Sequence, residues 1–279
     1  MTLTSLEYFA SLVRQDDSIP LFESALTLGQ DVYPDLDFSS LQIEMDTQAL
    51  KLKQRLPTDA SHIQKLRMLN HFFFQELAFA GNINNYYDPD NSYIHRVIAT
   101  RRGIPISLAV LYMELGQQIG LNMKGISFPG HFLMKLSVQS GDIVLDPMNG
   151  ASLSREELEE RLEPYLEQQD YGDELPLAAY LRAAHPREIL ARMLRNLKAI
   201  FTEAQRWQDV LGVQERLVIL LPDEITERRD RGLAHANLSS PQAALDDLEA
   251  YLAMRPDAED ADSMRDMLPE LRHASRRPN

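Results

Sequence analysis

The dipeptide Pro222-Asp223 recurs as Pro256-Asp257, 34 residues further on. At the same offset Leu211 is matched by Leu245, Leu217 by Tyr251 and Leu220 by Met254. A period of this length belongs to stacked two-helix repeats, in which each unit buries its apolar face only against its neighbour. The C-terminal third is thereby restricted to antiparallel helices. Two units are expected, at about 191–224 and 225–258, with residues 259–272 as a capping helix. The second unit carries Gly232 and Ala244 where helices approach closely, whereas the first carries Lys198 and Val210 in those places. An ordinary helical domain is the alternative. Phe201 and Trp207 are expected in the core of the first unit, at helical spacing.

The N-terminal hundred residues also read as helix, with candidates at about 4–14, 20–30, 39–56 and 59–80. In the last, Ile63, Leu66, Leu69, Phe73 and Leu77 fall on one face, and Gly81-Asn82 is a usual terminator. The Asn- and Asp-rich run 82–92 is expected as a structured loop, with Ser92 or Asp90 capping a helix over 93–101. Pro105 suits the first turn of a helix ending near Gly120, apolar around most of its circumference and so buried. From 123 to 148 the period changes. Met123–Phe128, His131–Val138 and Asp142–Asp146 read as antiparallel strands. Ser154-Arg-Glu-Glu can form a capping box, and Tyr171-Gly-Asp-Glu-Leu-Pro looks like a domain boundary.

Within this frame stands a three-part constellation. Residues 103–109, Gly-Ile-Pro-Ile-Ser-Leu-Ala, open a helix; His131 follows Pro129-Gly130; Asp146 lies in Leu-Asp-Pro. Helix start, histidine and aspartate in this order form the layout of a Cys-His-Asp acyl-transfer site. A thiolate gains there from unpaired N–H groups, the histidine moves the proton, and the aspartate fixes its tautomer. Yet the chain has no cysteine, which excludes disulfides, thiolate metal sites and thiol catalysis, and fits a reducing, cytoplasmic setting. The hairpin carries a geometric condition. A turn at Ser140-Gly141 sets His131 and Asp146 too far apart along the strands. A four-residue loop, 137–140, sets them opposite each other. A functional pair therefore predicts the earlier turn.

The segments Asn-Tyr-Tyr-Asp-Pro-Asp-Asn-Ser (85–92), Arg-Arg-Gly-Ile-Pro-Ile-Ser-Leu-Ala (101–109), Phe-Pro-Gly-His-Phe-Leu (128–133) and Leu-Asp-Pro-Met (145–148) resemble the bacterial SirB-type proteins. These carry a transglutaminase-like domain of the papain-type thiol superfamily followed by tetratricopeptide repeats, and are named for regulating sirC expression. The resemblance implies that His131 and Asp146 match the family histidine and aspartate. It places Pro105 at the nucleophile position, and Leu133 where an aromatic residue usually stands. Ser107 is two residues further on, about 200° around the helix, so it points away if Pro105 points at His131. Its simpler role is a local backbone contact. Arg102, Gly103 and Gly130 flank these positions and are the candidate binding residues; Arg101-Arg102 can pair with an anion or with the acidic surface.

Other chemistry is thinly supported. Asp88-x-Asp90-x-Ser92 lacks the glycine and glutamate of a calcium loop, and His62, His71 and His95 have no metal-ligand spacing. No metal or cofactor is implied. A net charge of −14 argues against nucleic-acid binding, and neither an apolar run of membrane length nor a secretion signal is present in the sequence. The expectation is an α+β transglutaminase-like domain over 1–165, helical to about 120 with strands at 123–148, and a helical repeat domain over 180–279. Its function is expected to be regulatory or scaffolding, with a degenerate site and a repeat groove that binds protein or peptide. The alternative is an amidase, peptidase or acyltransferase using Ser107 or a water activated by His131.

Overall fold

A computed structural model describes residues 3–166 and 175–276. The boundary segment expected at Tyr171–Pro176 lies in large part, at 171–174, outside the described residues. The chain forms two compact units, one of residues 16–193 and one of residues 1–15 with 194–279.

In the unit of residues 16–193 the helix Pro105–Gln118 is the central element. Leu108, Ala109, Leu111, Tyr112 and Leu115 are fully buried along it. Proline at its first position costs nothing, because that N–H has no intrahelical acceptor and the ring presets φ. Gly120, at φ +79°, ends the helix as anticipated. Helices Leu21–Thr27, Phe38–Arg55, His62–Asn70 and Ile94–Thr100 surround it.

Two short strands, β1 (Ala80–Gly81) and β2 (Arg102–Gly103), pair in parallel, Gly81 with Gly103. The strands β3 (Met123–Ile126), β4 (Leu133–Val138), β5 (Gly141–Leu145) and β6 (Ser152–Leu153) form one antiparallel sheet in sequence order. Ile126, Phe128, Leu133 and Val144 of this region pack with Leu158 and Leu162 of the helix Arg155–Leu166. That helix begins with the expected capping box: Ser154 N–H donates to Glu157, and Glu157 N–H donates back to Ser154 Oγ.

Several local expectations are corrected. The helix foreseen over 59–80 is regular only to Asn70; residues His71–Glu76 widen into π geometry, with Leu77 N–H donating to Phe72 O. The wider turn buries both Phe72 and Phe73, and Phe73 stacks on Phe79 with ring centroids 4.4 Å apart. The helix Ile94–Thr100 has no side-chain cap. Asp90 is instead held by Tyr33 Oη at 2.6 Å and Arg96 Nε at 2.7 Å, and Ser92 Oγ is buried without a partner.

In the other unit the 34-residue period is visible in the helices themselves. Trp207–Leu220 and Pro241–Met254 are each 14 residues long, and both their ends are offset by 34. Ile225–Asn237 and Ala261–Ser275 alternate with them. Gly232 lets Leu248 approach so closely that a Cβ there would lie 3.0 Å from it. The first unit's Lys198 is accommodated by charge, pairing with Glu227 and Asp230. Phe201 is core, but Trp207 is only half-buried. A turn through Gln205, at φ +54°, separates them, so they share no helix. Helix Ser5–Leu12 belongs to this unit, with Phe9 fully buried and Arg216 over its ring. Glu227 and Asp247 are buried acids: Arg195 and Lys198 hold the first, Arg231 and Arg228 the second.

His95 is buried beside Gly29, Tyr33 and Tyr93, and neither ring nitrogen has a partner. Burial, with help from the Arg96 charge and against the pull of Asp90, lowers its pKa from 6.5 to about 4. The unfolded chain therefore binds more protons between these values. The stability contribution is complete above pH 6.5 and declines as pH falls to about 4. Urea unfolding at stepped pH should show a loss of about 2–3 kcal/mol across this window that His95→Phe removes.

Candidate functional site

His131 and Asp146 meet, but not by the anticipated route. The β4–β5 ladder pairs Val138 with Gly141, Ser137 with Asp142 and Met134 with Leu145, so the turn is Gln139-Ser140. This register lies between the two weighed from sequence. Asp142 sets it: its carboxylate accepts from Ser137 Oγ at 2.6 Å and from Lys135 Nζ at 2.9 Å. Extended further, this ladder would face His131 with Met148. Contact is made because both residues have left the sheet. β4 begins at Leu133, so His131 sits in a turn in which its N–H donates to Phe128 O. β5 ends at Leu145, and Asp146 opens a turn closed by Gly150 N–H on Asp146 O, with Gly150 at φ +72°.

His131 Nε2 lies 3.1 Å from Asp146 Oδ1, and the Met148 N–H donates to the same oxygen at 3.0 Å. Arg161 Nη1 donates to Oδ2 at 2.9 Å. Burial pushes the Asp146 carboxyl up. The hydrogen bonds from His131, Met148 N–H and Arg161 outweigh it and hold the pKa at about 2. An ionised carboxylate only accepts, so Nε2 carries the proton and the lone pair of a neutral His131 is on Nδ1. The arrangement can therefore offer a basic nitrogen or a hydrogen-bond acceptor.

A chain of contacts through one side chain links the helix start to this pair. Met148 lies over Gly81, where a Cβ would stand 1.9 Å from its Cε, and Gly81 pairs with Gly103, two residues before Pro105. Pro105 is buried at the helix N-terminus. Ser107 is fully buried. Its Oγ accepts from Ile104 N–H at 3.1 Å and is in donor reach of Asn91 O at 2.6 Å and Ile104 O at 3.0 Å. No hydrogen bond joins Ser107 to His131, so the hydroxyl sits in the backbone role that the simpler reading gave it. Gly130, at φ +64°, leaves room for Tyr165, whose Oη would be 1.6 Å from a Cβ there. Arg102 is exposed and donates to Ala78 O at 2.8 Å, while Arg101 pairs with Glu44 at 3.1 Å.

Two residues had no mark in the sequence. Arg161 lies three residues after buried Leu158 and next to buried Leu162, but nothing in a single sequence assigns it to Asp146. Arg192 Nη1 and Nη2 donate to Phe128 O at 3.1 Å and His131 O at 2.9 Å, bracing the turn that carries the histidine. A cavity of about 720 Å³ lies elsewhere, lined by Phe22, Met113, Glu114, Lys124 and Ile189 among others, and includes none of His131, Asp146, Pro105 or Ser107. No group of metal-ligating side chains occurs among the described residues.

Residues 39–195 match the family described as transglutaminase-like superfamily, and residues 197–269 match the tetratricopeptide repeat. A "UPF0162 protein" of Xylella fastidiosa (strain Temecula1) is 38% identical over 261 residues, 92% of this chain and 91% of the relative. A "UPF0162 protein" of Vibrio cholerae is 29% identical, covering 93% of this chain and 95% of its own. "Protein SirB1" of Salmonella typhimurium is 22% identical, covering 92% and 94%. No solved structure matches the chain.

The Asp146 carboxylate contributes stability that is complete above its ordinary value of 3.8 and is lost as pH falls to about 2. Asp146→Asn should lower the unfolding free energy by about 2 kcal/mol at pH 7. In denaturant titrations the difference from the unsubstituted chain should shrink steadily below pH 4 and close near pH 2.

Proposed function

The chain belongs to the UPF0162 family, with a transglutaminase-like domain followed by a tetratricopeptide region, and from this we propose that it is a non-catalytic regulatory or scaffolding protein. The observation that carries the reading is the fate of the three catalytic positions. His131 and Asp146 are hydrogen-bonded at 3.1 Å, Pro105 occupies the position that the resemblance assigns to the nucleophile, and Ser107, two residues further on, is spent on backbone groups. A proline ring has no group that can attack an acyl carbon. A serine gains nucleophilicity only when a base holds its proton, and no base among the described residues is hydrogen-bonded to Ser107. Acyl transfer through a covalent intermediate therefore lacks its first step.

What the site retains is a fixed acceptor on His131, oriented by Asp146, which suits recognition of a ligand or partner segment. The repeat region supports the same reading, since tetratricopeptide units are surfaces for protein or peptide binding. The likeness to SirB-type proteins, named for regulating sirC expression, supports a regulatory role. The cysteine-free composition supports a cytoplasmic setting. No described helix is long and apolar enough to cross a membrane, and the charge of −14 disfavours direct binding to nucleic acid.

The second reading, hydrolysis by a water held on His131 Nδ1, is favoured by that nitrogen's lone pair alone. One comparison separates the two. The purified chain and His131→Ala are incubated with an activated ester, a thioester and a peptide amide. The binding reading expects equal rates at the buffer background for both. A rate at least tenfold above background that His131→Ala abolishes would overturn it.

A further inference from the structure

Arg192 is a half-buried cation with no carboxylate partner among the described residues. Other partly buried arginines of this chain have one. Arg161 has Asp146, Arg101 has Glu44, Arg231 has Asp247, and Arg229 has Asp230 and Asp260. Desolvating a guanidinium without a counter-charge is unfavourable, and two carbonyl dipoles with the face of the Phe132 ring, 5.7 Å away, compensate only part of it. Of its five N–H groups, two are used, on Phe128 O and His131 O. Its Nε has no acceptor among the described residues and is not sealed from solvent. The ionisable groups that bear on its charge are the phenols of Tyr86 and Tyr165, neither of them a carboxylate.

The surroundings are built for contact. Tyr86 is 42% exposed, Tyr87 76% and Ile83 80%, all on the loop after β1. That loop is rigidly braced from within: Asn91 Nδ2 donates to Asn85 O at 2.6 Å and to Tyr86 O at 3.2 Å, and Asn82 donates to Asn91 Oδ1. Tyr86 and Tyr87 pack edge to face, 5.4 Å between centroids. Tyr165 Oη lies against Gly130, next to His131. Preordered tyrosines beside an arginine are the residue types that dominate binding energy in protein recognition, because little side-chain entropy is lost on contact.

We propose that Arg192 is the anchor of a carboxylate-binding site, and that the ligand is an acidic peptide segment whose carboxylate sits on the free edge of the guanidinium between Tyr86 and Tyr165. The inference rests on the reading of this pocket as a binding site and names its ligand class. A partner's carboxylate supplies the counter-charge that the described residues do not. Because the same guanidinium grips the carbonyl of His131, occupancy is felt at the imidazole.

The test uses the full isotopically labelled chain and three blocked tripeptides, followed by NMR at the Arg192 Nε–H and the His131 ring. Acetyl-Ala-Glu-Ala-methylamide offers a side-chain carboxylate, acetyl-Ala-Ala-Ala with a free C-terminus offers a terminal one, and acetyl-Ala-Gln-Ala-methylamide is the neutral isostere. Saturable shifts with at least one carboxylate peptide are expected, with the stronger binder identifying the source, and none with the glutamine peptide. Arg192→Lys should weaken binding roughly tenfold or more, since a point charge loses the planar fork. No shift with either carboxylate peptide, or equal shifts with the glutamine peptide, overturns the proposal on the unsubstituted chain alone. Unchanged affinity in a folded Arg192→Lys does so as well. Peptide cleavage would appear as new signals in the same spectra and would overturn the binding reading itself, which separates the two failures.

Discussion

The Asp146 carboxylate is the point on which the candidate site depends. It is buried, ionised and held by three donors from three places: the His131 ring, the Met148 N–H of its own turn, and Arg161 on the helix that covers the sheet. A buried charge is tolerated only when its acceptor sites are filled. The turn at 146–150, the exit of the chain before β4 and the docking of the helix Arg155–Leu166 are thus coupled through one side chain. This coupling gives the histidine–aspartate pair a structural role of its own. The pair fastens the sheet's end to its neighbours whether or not a nucleophile faces it, and the stability it supplies does not depend on turnover.

The same logic organises the charges elsewhere. In the repeat region Glu227 and Asp247 are almost wholly inaccessible, yet each is met by two cations on neighbouring helix turns or helices. Burial alone would raise both carboxyls, and the paired guanidinium and ammonium groups bring them below the ordinary range. Such pairs are poor sources of net stability but costly to break on one side, so they select one packing over others. Lys198 shows the device at work. It occupies a place where the repeat calls for a small residue, and its charge is absorbed by Glu227 and Asp230.

Much of the fold was legible because its signals are local. The 34-residue offset of Pro-Asp returned as equal offsets of whole helices, Pro105 and Gly120 bounded the buried helix, and Ser154 capped where its spacing with Glu157 required. What escaped the sequence was set by long-range packing. The helix expected to run to residue 80 relaxes into a π turn because Phe72 and Phe73 both find burial that way. The hairpin register is held by Ser137 and Lys135 donating together to the two oxygens of Asp142, a side-chain arrangement that alternation of apolar residues cannot reveal. His131 and Asp146 were identifiable by motif and order. Arg161 and Arg192 were not, since an arginine on a helix carries no mark of the carbonyl or carboxylate it reaches across the fold.

Covalent acyl transfer at this site would require Ser107, whose proton is directed to backbone carbonyls. The direct measurement is intact-mass analysis of the native chain after incubation with a fluorophosphonate, which captures activated serines. The account predicts an unmodified mass after prolonged exposure. A stoichiometric adduct that maps to Ser107 and disappears in His131→Ala would contradict it.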